Sequence, residues 1–185
     1  VEINLSRKFG AIRQIAFVVP DIDAAMEYWS DVLGVGPFFV KRRMTFSSFT
    51  YRGRSAPSPC ISIALANSGE QQIELIAQHD DVPSIYLESL HSGRPGFHHL
   101  SSWLGRDEFD IARSSLLAEN ISIAQECTIA SSGVRLIYWA TEEGPNGLFF
   151  EISDVNSPEH RARVDGVRQA AAEWDGDNAV VEVKK

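Results

Sequence analysis

Residues 11–39 read AIRQIAFVVPDIDAAMEYWSDVLGVGPFF, and a change of period inside this stretch decides the architecture. From Ala11 to Val19 the run is apolar enough for a buried strand, and Pro20 with Asp21 closes it. Ala24, Ala25, Tyr28, Trp29, Val32 and Leu33 then recur at helical spacing, with Asp21 or Asp23 as N-cap and Gly34 as the stop. Further β-type runs follow at Phe38–Val40, Thr45–Tyr51 and Ile61–Leu65, ending in the strand QQIELIA, Gln71–Ala77. The pattern is a strand, a helix and then three strands.

The same order starts again at Phe97. HHLSSWL reads as a strand, Asp107 to Glu119 as a helix, and Ile121–Gln125, Val134–Trp139 and Leu148–Ile152 as strands. The repeat is architectural, since aligning Gln14 with His99 sets IAFVV over LSSWL without strong identity. The expected fold is α+β, two tandem βαβββ modules at about residues 11–77 and 97–154, forming one domain over 1–154. Gln78 to Pro95 is the linker, with VPSIYLESL as a short helix inside it. Residues 155–185 are expected to form a C-terminal helix, from about Ser157 to Trp174, and a frayed tail ending AVVEVKK.

Composition narrows the function classes. A net charge of −8 on 185 residues argues against nucleic acid as the main partner, because phosphate binding needs a positive surface excess. Cys60 and Cys127 are far apart and lack CxxC spacing, which supports neither a disulfide framework nor a thiolate zinc site and suggests a reduced, cytoplasmic setting. No apolar run has the length of a membrane span, and the start VEINLSRKFG has no signal-peptide core.

Strand parity then selects candidate residues, because successive side chains point to opposite faces. If Ile15, Phe17 and Val19 pack on the helix, Gln14, Ala16 and Val18 face the other way. The same rule sets Gln72, Glu74 and Ile76, then His99, Ser101 and Trp103, then Phe149, Glu151 and Ser153 on the face away from the helices. Each module thus offers two polar candidates there, Gln14 with Glu74 and His99 with Glu151. Two carboxylates inside apolar strands need a countercharge. An amide oxygen, an imidazole and two carboxylates suit a divalent cation such as Zn²⁺, Mn²⁺, Co²⁺ or Ni²⁺.

The strings RQIAFVVPDIDAAMEYWSDVLGVGPFF, IELI, PGFHHLSSWL and GLFFEISD together resemble the glyoxalase, bleomycin-resistance and extradiol-dioxygenase superfamily, the vicinal oxygen chelate proteins, over residues 11–154. The resemblance implies metal ligands at Gln14, Glu74, His99 and Glu151, with His99 preferred to His98 because it directly precedes the apolar Leu100. It implies an isomerase, epimerase or lyase that moves a proton next to a carbonyl, with Glu151 and Glu74 as the two candidate bases. The ligand order amide, Glu, His, Glu is similar to eukaryotic-type glyoxalase I. The compact length and the lack of a glutathione-contacting pattern are closer to methylmalonyl-CoA epimerases, which usually show His, Gln, His, Glu. An extradiol dioxygenase needs two histidines on iron, and one stands at a ligand position here. A metal-free binding or resistance protein is the other alternative, although a hydrophobic cleft has no use for two unpaired carboxylates.

Lys41, Arg42, Arg43, Arg52 and Arg54 crowd KRRMTFSSFTYRGR, which suits either a CoA phosphate or carboxylate or a solvated hairpin. Phe39, Phe46, Phe49, Trp103, Tyr138 and Phe149 suggest an aromatic-lined cleft or core packing. The expected partners are a small anionic or aromatic substrate, such as an acyl-CoA, and a second copy of the chain that covers open sheet edges.

Overall fold

The computed structural model describes residues 8–93, 95–142, 147–155 and 157–183. Residues 1–7, which contain most of the start read as leader-free, and Lys184 and Lys185 of the tail lie outside them. In chain order the elements are β1 (Ile12–Val18), α1 (Ile22–Asp31), β2 (Phe38–Met44), β3 (Phe46–Tyr51), β4 (Arg54–Ser55), β5 (Ile61–Ser68), β6 (Gln71–Gln78) and α2 (Ile85–His91). There follow β7 (Gly96–Trp103), α3 (Arg106–Ala118), β8 (Ile123–Ile129), β9 (Arg135–Trp139), β10 (Phe149–Ser153), α4 (Pro158–Glu173) and β11 (Val180–Glu182).

Local chemistry explains the boundaries. The Asp21 carboxylate accepts from the Asp23 and Ala24 N–H groups at 2.9 and 3.1 Å and so caps α1. Asp23 is left to pair with Arg42. Ala25 and Trp29 pack against the sheet with Ile22 and Met26. Tyr28, Val32 and Leu33, which share the helical spacing, are exposed. Ser84 caps α2 through the Leu87 N–H at 3.0 Å, and Ser157 caps α4.

All described strands join one sheet in the order β11-β2-β5-β6-β1-β7-β10-β9-β8-β3-β4. The seam between modules is β1 against β7, antiparallel, flanked by the parallel pairs β1 with β6 and β7 with β10. β2 and β3 are separated by Thr45 alone, yet β2 pairs with β5 and β3 with β8 of the other module. This forces the sheet to curl, giving it an inner and an outer face. On the outer face α1 covers Val40, Leu75 and Ala77, and α3 covers Ile137 and Ile152. On the inner face Val18, Ile76, Phe46, Phe49, Tyr86, Tyr138 and Phe149 form one cluster from both modules. Each of these large side chains contributes roughly 1.5–3 kcal/mol by leaving water.

The frayed tail expected after α4 is corrected by β11, which runs parallel to β2. The Phe38 N–H donates to Ala179 O at 2.7 Å and the Val183 N–H to Val40 O at 2.9 Å. Arg42 donates to Glu182 at 2.8 Å and ties the same strands by their side chains. The physical reason is the open edge of β2, whose backbone groups are satisfied by another strand. Ahead of β11, Trp174 lies on Gly36, and a Cβ added at Gly36 would stand 2.9 Å from its ring. Gly36→Ala is therefore expected to cost about 1–3 kcal/mol through overpacking. Chemical denaturation that shows no loss would mean the indole does not seat there.

Candidate active site

The four central strands, in the order β6, β1, β7, β10, carry Glu74, Gln14, His99 and Glu151 respectively, each of them buried. Curling turns their inner faces together. His99 Nε2 lies 3.5 Å from Glu74 Oε2 and 3.4 Å from Glu151 Oε2. The second oxygen of Glu151 accepts from the Ser101 hydroxyl at 2.6 Å and from the Ser153 hydroxyl. Gln14 donates its amide N–H to Gln72 Oε1 at 2.8 Å, so the carbonyl oxygen is the end of its amide not used in that bond. Glu74 Oε2, His99 Nε2 and Gln72 Nε2 are buried without a hydrogen-bond partner. The edge of the Tyr138 ring closes over His99, with centroids 5.1 Å apart.

The charges are unevenly supported. Burial by itself opposes ionisation of all three groups. For His99 the opposition is overcome by the attraction of the facing Glu151 and then Glu74 carboxylates, which push its pKa up to about 9. Burial works against Glu151 as well, but the His99 charge and the Ser101 and Ser153 hydroxyls hold it down at about 2. Glu74 has no such hydroxyls. Burial raises its pKa, the Glu151 charge adds to the rise, and His99 only partly offsets them. Two carboxylates beside one imidazole are thus driven in opposite directions by their other neighbours.

Parity and structure part at His98. The β1–β7 register runs Ala16 to His99 and then Phe17 to Phe97, which leaves His98 as the extra residue of a β-bulge. Two adjacent imidazoles therefore turn inward, and His98 Nδ1 stands 2.8 Å from His99 Nδ1. His98 sits behind His99, against Tyr86 and Phe149 at centroid distances of 5.6 and 5.0 Å. Burial first, and then the neighbouring His99, lower its pKa well below the ordinary histidine value and keep it neutral.

The set can be tested against a divalent cation. Among the described residues no three His, Cys, Asp or Glu side chains are placed to hold a metal ion as they stand. They are drawn together instead as an ion-paired triad, and the 3.4 and 3.5 Å separations bear on whether a cation could take the proton's place. Donors at roughly 2.1 Å from a common ion stand about 3.0–3.4 Å apart when adjacent. Two carboxylates balance its two charges, and the orphaned Glu74 Oε2 and His99 Nε2 would gain a partner. Charge and donor type therefore fit, and Glu74, His99 and Glu151 could hold such an ion once drawn around it, while Gln14 is bonded to Gln72.

Of the aromatic residues singled out, Phe46, Phe49, Tyr138 and Phe149 belong to the inner cluster, whereas Phe39 and Trp103 do not. The basic residues are largely engaged. Arg42 binds Asp23 and Glu182, and Arg52 binds Glu88 and Glu142 while lying 5.8 Å over the Phe149 ring. Lys41 reaches Ser131, and Arg43 and Arg54 are exposed. Ser101, Ser153 and Gln72 had a signal in the sequence, since parity places them on the site's face. Tyr86 had none, because α2 brings it in from the linker.

Comparison with known proteins accounts for the fold. Residues 13–138 match the family described as the Glyoxalase/Bleomycin resistance protein/Dioxygenase superfamily, a span that contains Gln14, Glu74 and His99. The chain belongs to that superfamily. Solved structures share its fold at low identity. The methylmalonyl-CoA epimerase from Mycobacterium tuberculosis matches with TM-score 0.56 at 18% identity, covering 83% of this chain and 93% of its own. A variant of the Streptomyces coelicolor methylmalonyl-CoA epimerase in complex with 2-nitronate-propionyl-CoA matches with TM-score 0.51 at 15% identity, covering 78% and 96%. A hypothetical protein from Bacillus halodurans C-125 matches with TM-score 0.53 at 15% identity, covering 77% and 92%. Curated proteins gave no match. Among the described residues no helix is long and apolar enough to cross a membrane.

Proposed function

We propose that this superfamily member is a metal-dependent isomerase of the epimerase type, which moves a proton on the carbon next to a thioester carbonyl. The observation that carries the reading is the convergence of Glu74 and Glu151 on one imidazole nitrogen, from strands on either side of the β1–β7 seam. An epimerase needs a proton acceptor on one face of the substrate carbon and a donor on the other, and two carboxylates entering from opposite sides supply both. The acyl-CoA class is suggested by the epimerases that share the fold, one of them solved with 2-nitronate-propionyl-CoA.

Gln14, Glu74, His99 and Glu151 would hold the metal. When bound, the cation supplies positive charge that lowers the cost of negative charge developing on a substrate oxygen. The chain's own residues do the rest. During turnover the ionised carboxylate takes the α-proton while the C–H electron pair moves into the carbonyl, and the other, which has to be protonated at the start of the step, gives its proton to the opposite face, so nothing is oxidised and no group leaves. Ser101 and Ser153 fix Glu151 by one oxygen and leave the other directed at the imidazole. The Tyr86 and Tyr138 hydroxyls, hydrogen-bonded at 2.9 Å, and the Phe149 ring keep water from the cluster.

The test is exchange of the substrate α-proton in deuterated water, run on acyl-CoA thioesters and on glutathione hemithioacetals. Exchange on thioesters supports the proposal, and exchange on hemithioacetals alone moves it to the glyoxalase type. No exchange on either favours a binding or resistance protein. A cytoplasmic setting and a homodimer accompany the proposal. The free thiols Cys60 and Cys127 agree with the first, and exposed Tyr28 on α1 with Val32 and Leu33 just past its C-terminal end offer apolar surface for the second. Light scattering is expected to return twice the chain mass of 20.5 kDa, and a value at 20.5 kDa would remove the dimer.

A further inference from the structure

His98 is surrounded by apolar and aromatic groups, is 3% exposed, and has two polar contacts among the described residues. A leucine would fill such a place at less desolvation cost, so the imidazole has to be explained by what its two nitrogens do. His98 Nε2 faces Ile85 O at 3.4 Å, and a carbonyl only accepts, so this nitrogen carries the proton. Nδ1 of a neutral His98 is then a bare lone pair, 2.8 Å from His99 Nδ1. It can be satisfied only if His99 Nδ1 carries a proton and donates it. The remaining nitrogen of His99, Nε2, is thereby left to face Glu74 and Glu151.

We infer that His98 is a positioning residue, which sets the tautomer and ring orientation of His99 through the chain Ile85 O, His98, His99. The inference rests on the proposed metal site for its use, since a neutral His99 then offers its Nε2 lone pair to the cation. It differs from the common arrangement in which a carboxylate or backbone carbonyl holds the outer nitrogen of a ligand histidine. A neutral imidazole adds no charge, so the two site carboxylates stay matched to one divalent ion. The bulge in β7 is the structural device behind the chain, because only an extra residue lets neighbours in a strand turn to the same face.

Two measurements test this. Nitrogen-15 correlation spectra of the metal-free protein are expected to show His98 protonated at Nε2 with a bare Nδ1 and His99 protonated at both nitrogens, with only the Nε2 proton of His99 lost when Zn²⁺ is added. A proton on His98 Nδ1 would overturn the inference whether or not the protein binds metal. The second measurement is titration with Zn²⁺ and Co²⁺ of the parent, His98→Leu and His98→Asn. Leu removes the acceptor, and affinity is expected to fall about ten- to a hundredfold. Asn keeps an oxygen near the position of Nδ1 and is expected to restore affinity to within about threefold. Equal affinities in all three, or equal losses in both variants, would reduce His98 to a packing residue. Should His98→Leu not fold, the spectra and the His98→Asn titration still decide the question. A parent that binds neither ion but shows the stated tautomers would leave the chain standing and overturn the metal reading.

Discussion

Glu151→Gln is expected to lower α-proton exchange by at least about a hundredfold, the ordinary loss on removing a general acid or base. The amide keeps one oxygen, which can either approach a cation or accept from Ser101 and Ser153. It cannot take a carbon-bound proton near neutral pH. Glu74→Gln is expected to lose exchange by a comparable factor, because each carboxylate serves one face of the carbon. A steady-state assay of both variants with circular dichroism alongside checks this. If the loss is confined to Glu151, the chain is a one-base isomerase and Glu74 only holds charge. If both variants keep the parental rate, neither carboxylate moves the proton.

His99→Ala should have the second large effect, and it reaches stability as well as metal. The parent, purified without chelator, is expected to hold about one divalent ion per chain, and the variant less than a tenth of that by elemental analysis. Losing the imidazole also leaves Glu74 and Glu151 facing each other with no countercharge. Breaking a buried pair in this way costs about 3–5 kcal/mol. Part of the loss is relieved if Glu74, already disposed to bind a proton, becomes neutral. A variant that binds the ion as the parent does would show that the imidazole is no ligand. One that unfolds at the parental denaturant midpoint would show that the triad contributes no stability.

Much of this site is legible without coordinates, and the reason is the period of a strand. Gln14, Glu74, His99 and Glu151 lie on strands whose alternate residues are strongly apolar, so the packing face identifies the other face by exclusion. The same rule misplaces His98, because a bulge breaks the period it relies on and leaves no local mark in PGFHHLSSWL. The destination of the Arg side chains is hidden for another reason. The Arg52 partners Glu88 and Glu142 lie 36 and 90 residues along the chain, and nothing local marks them as acceptors for a cluster that reads as an anion site. The C-terminal strand is hidden similarly: AVVEVKK has a strand's composition, but its need for a partner becomes visible only once the edge of β2 is seen to be open.

The passage from β2 to β3 through Thr45 has a kinetic consequence. β3 finds its main ladder on β8, with contacts such as Phe49 to Cys127 spanning more than the length of either module, while β2 is already committed to β5. Neither half of the chain can satisfy its own backbone if made alone, and a nascent chain released after β6 would expose β3 as an unpaired ribbon. Joining segments so distant in sequence carries a loop-closure cost before any contact rewards it, so curling of the sheet should limit the rate of folding. The inner cluster and the acidic triad can exist only after that step, which makes the site the last part of the molecule to acquire its shape.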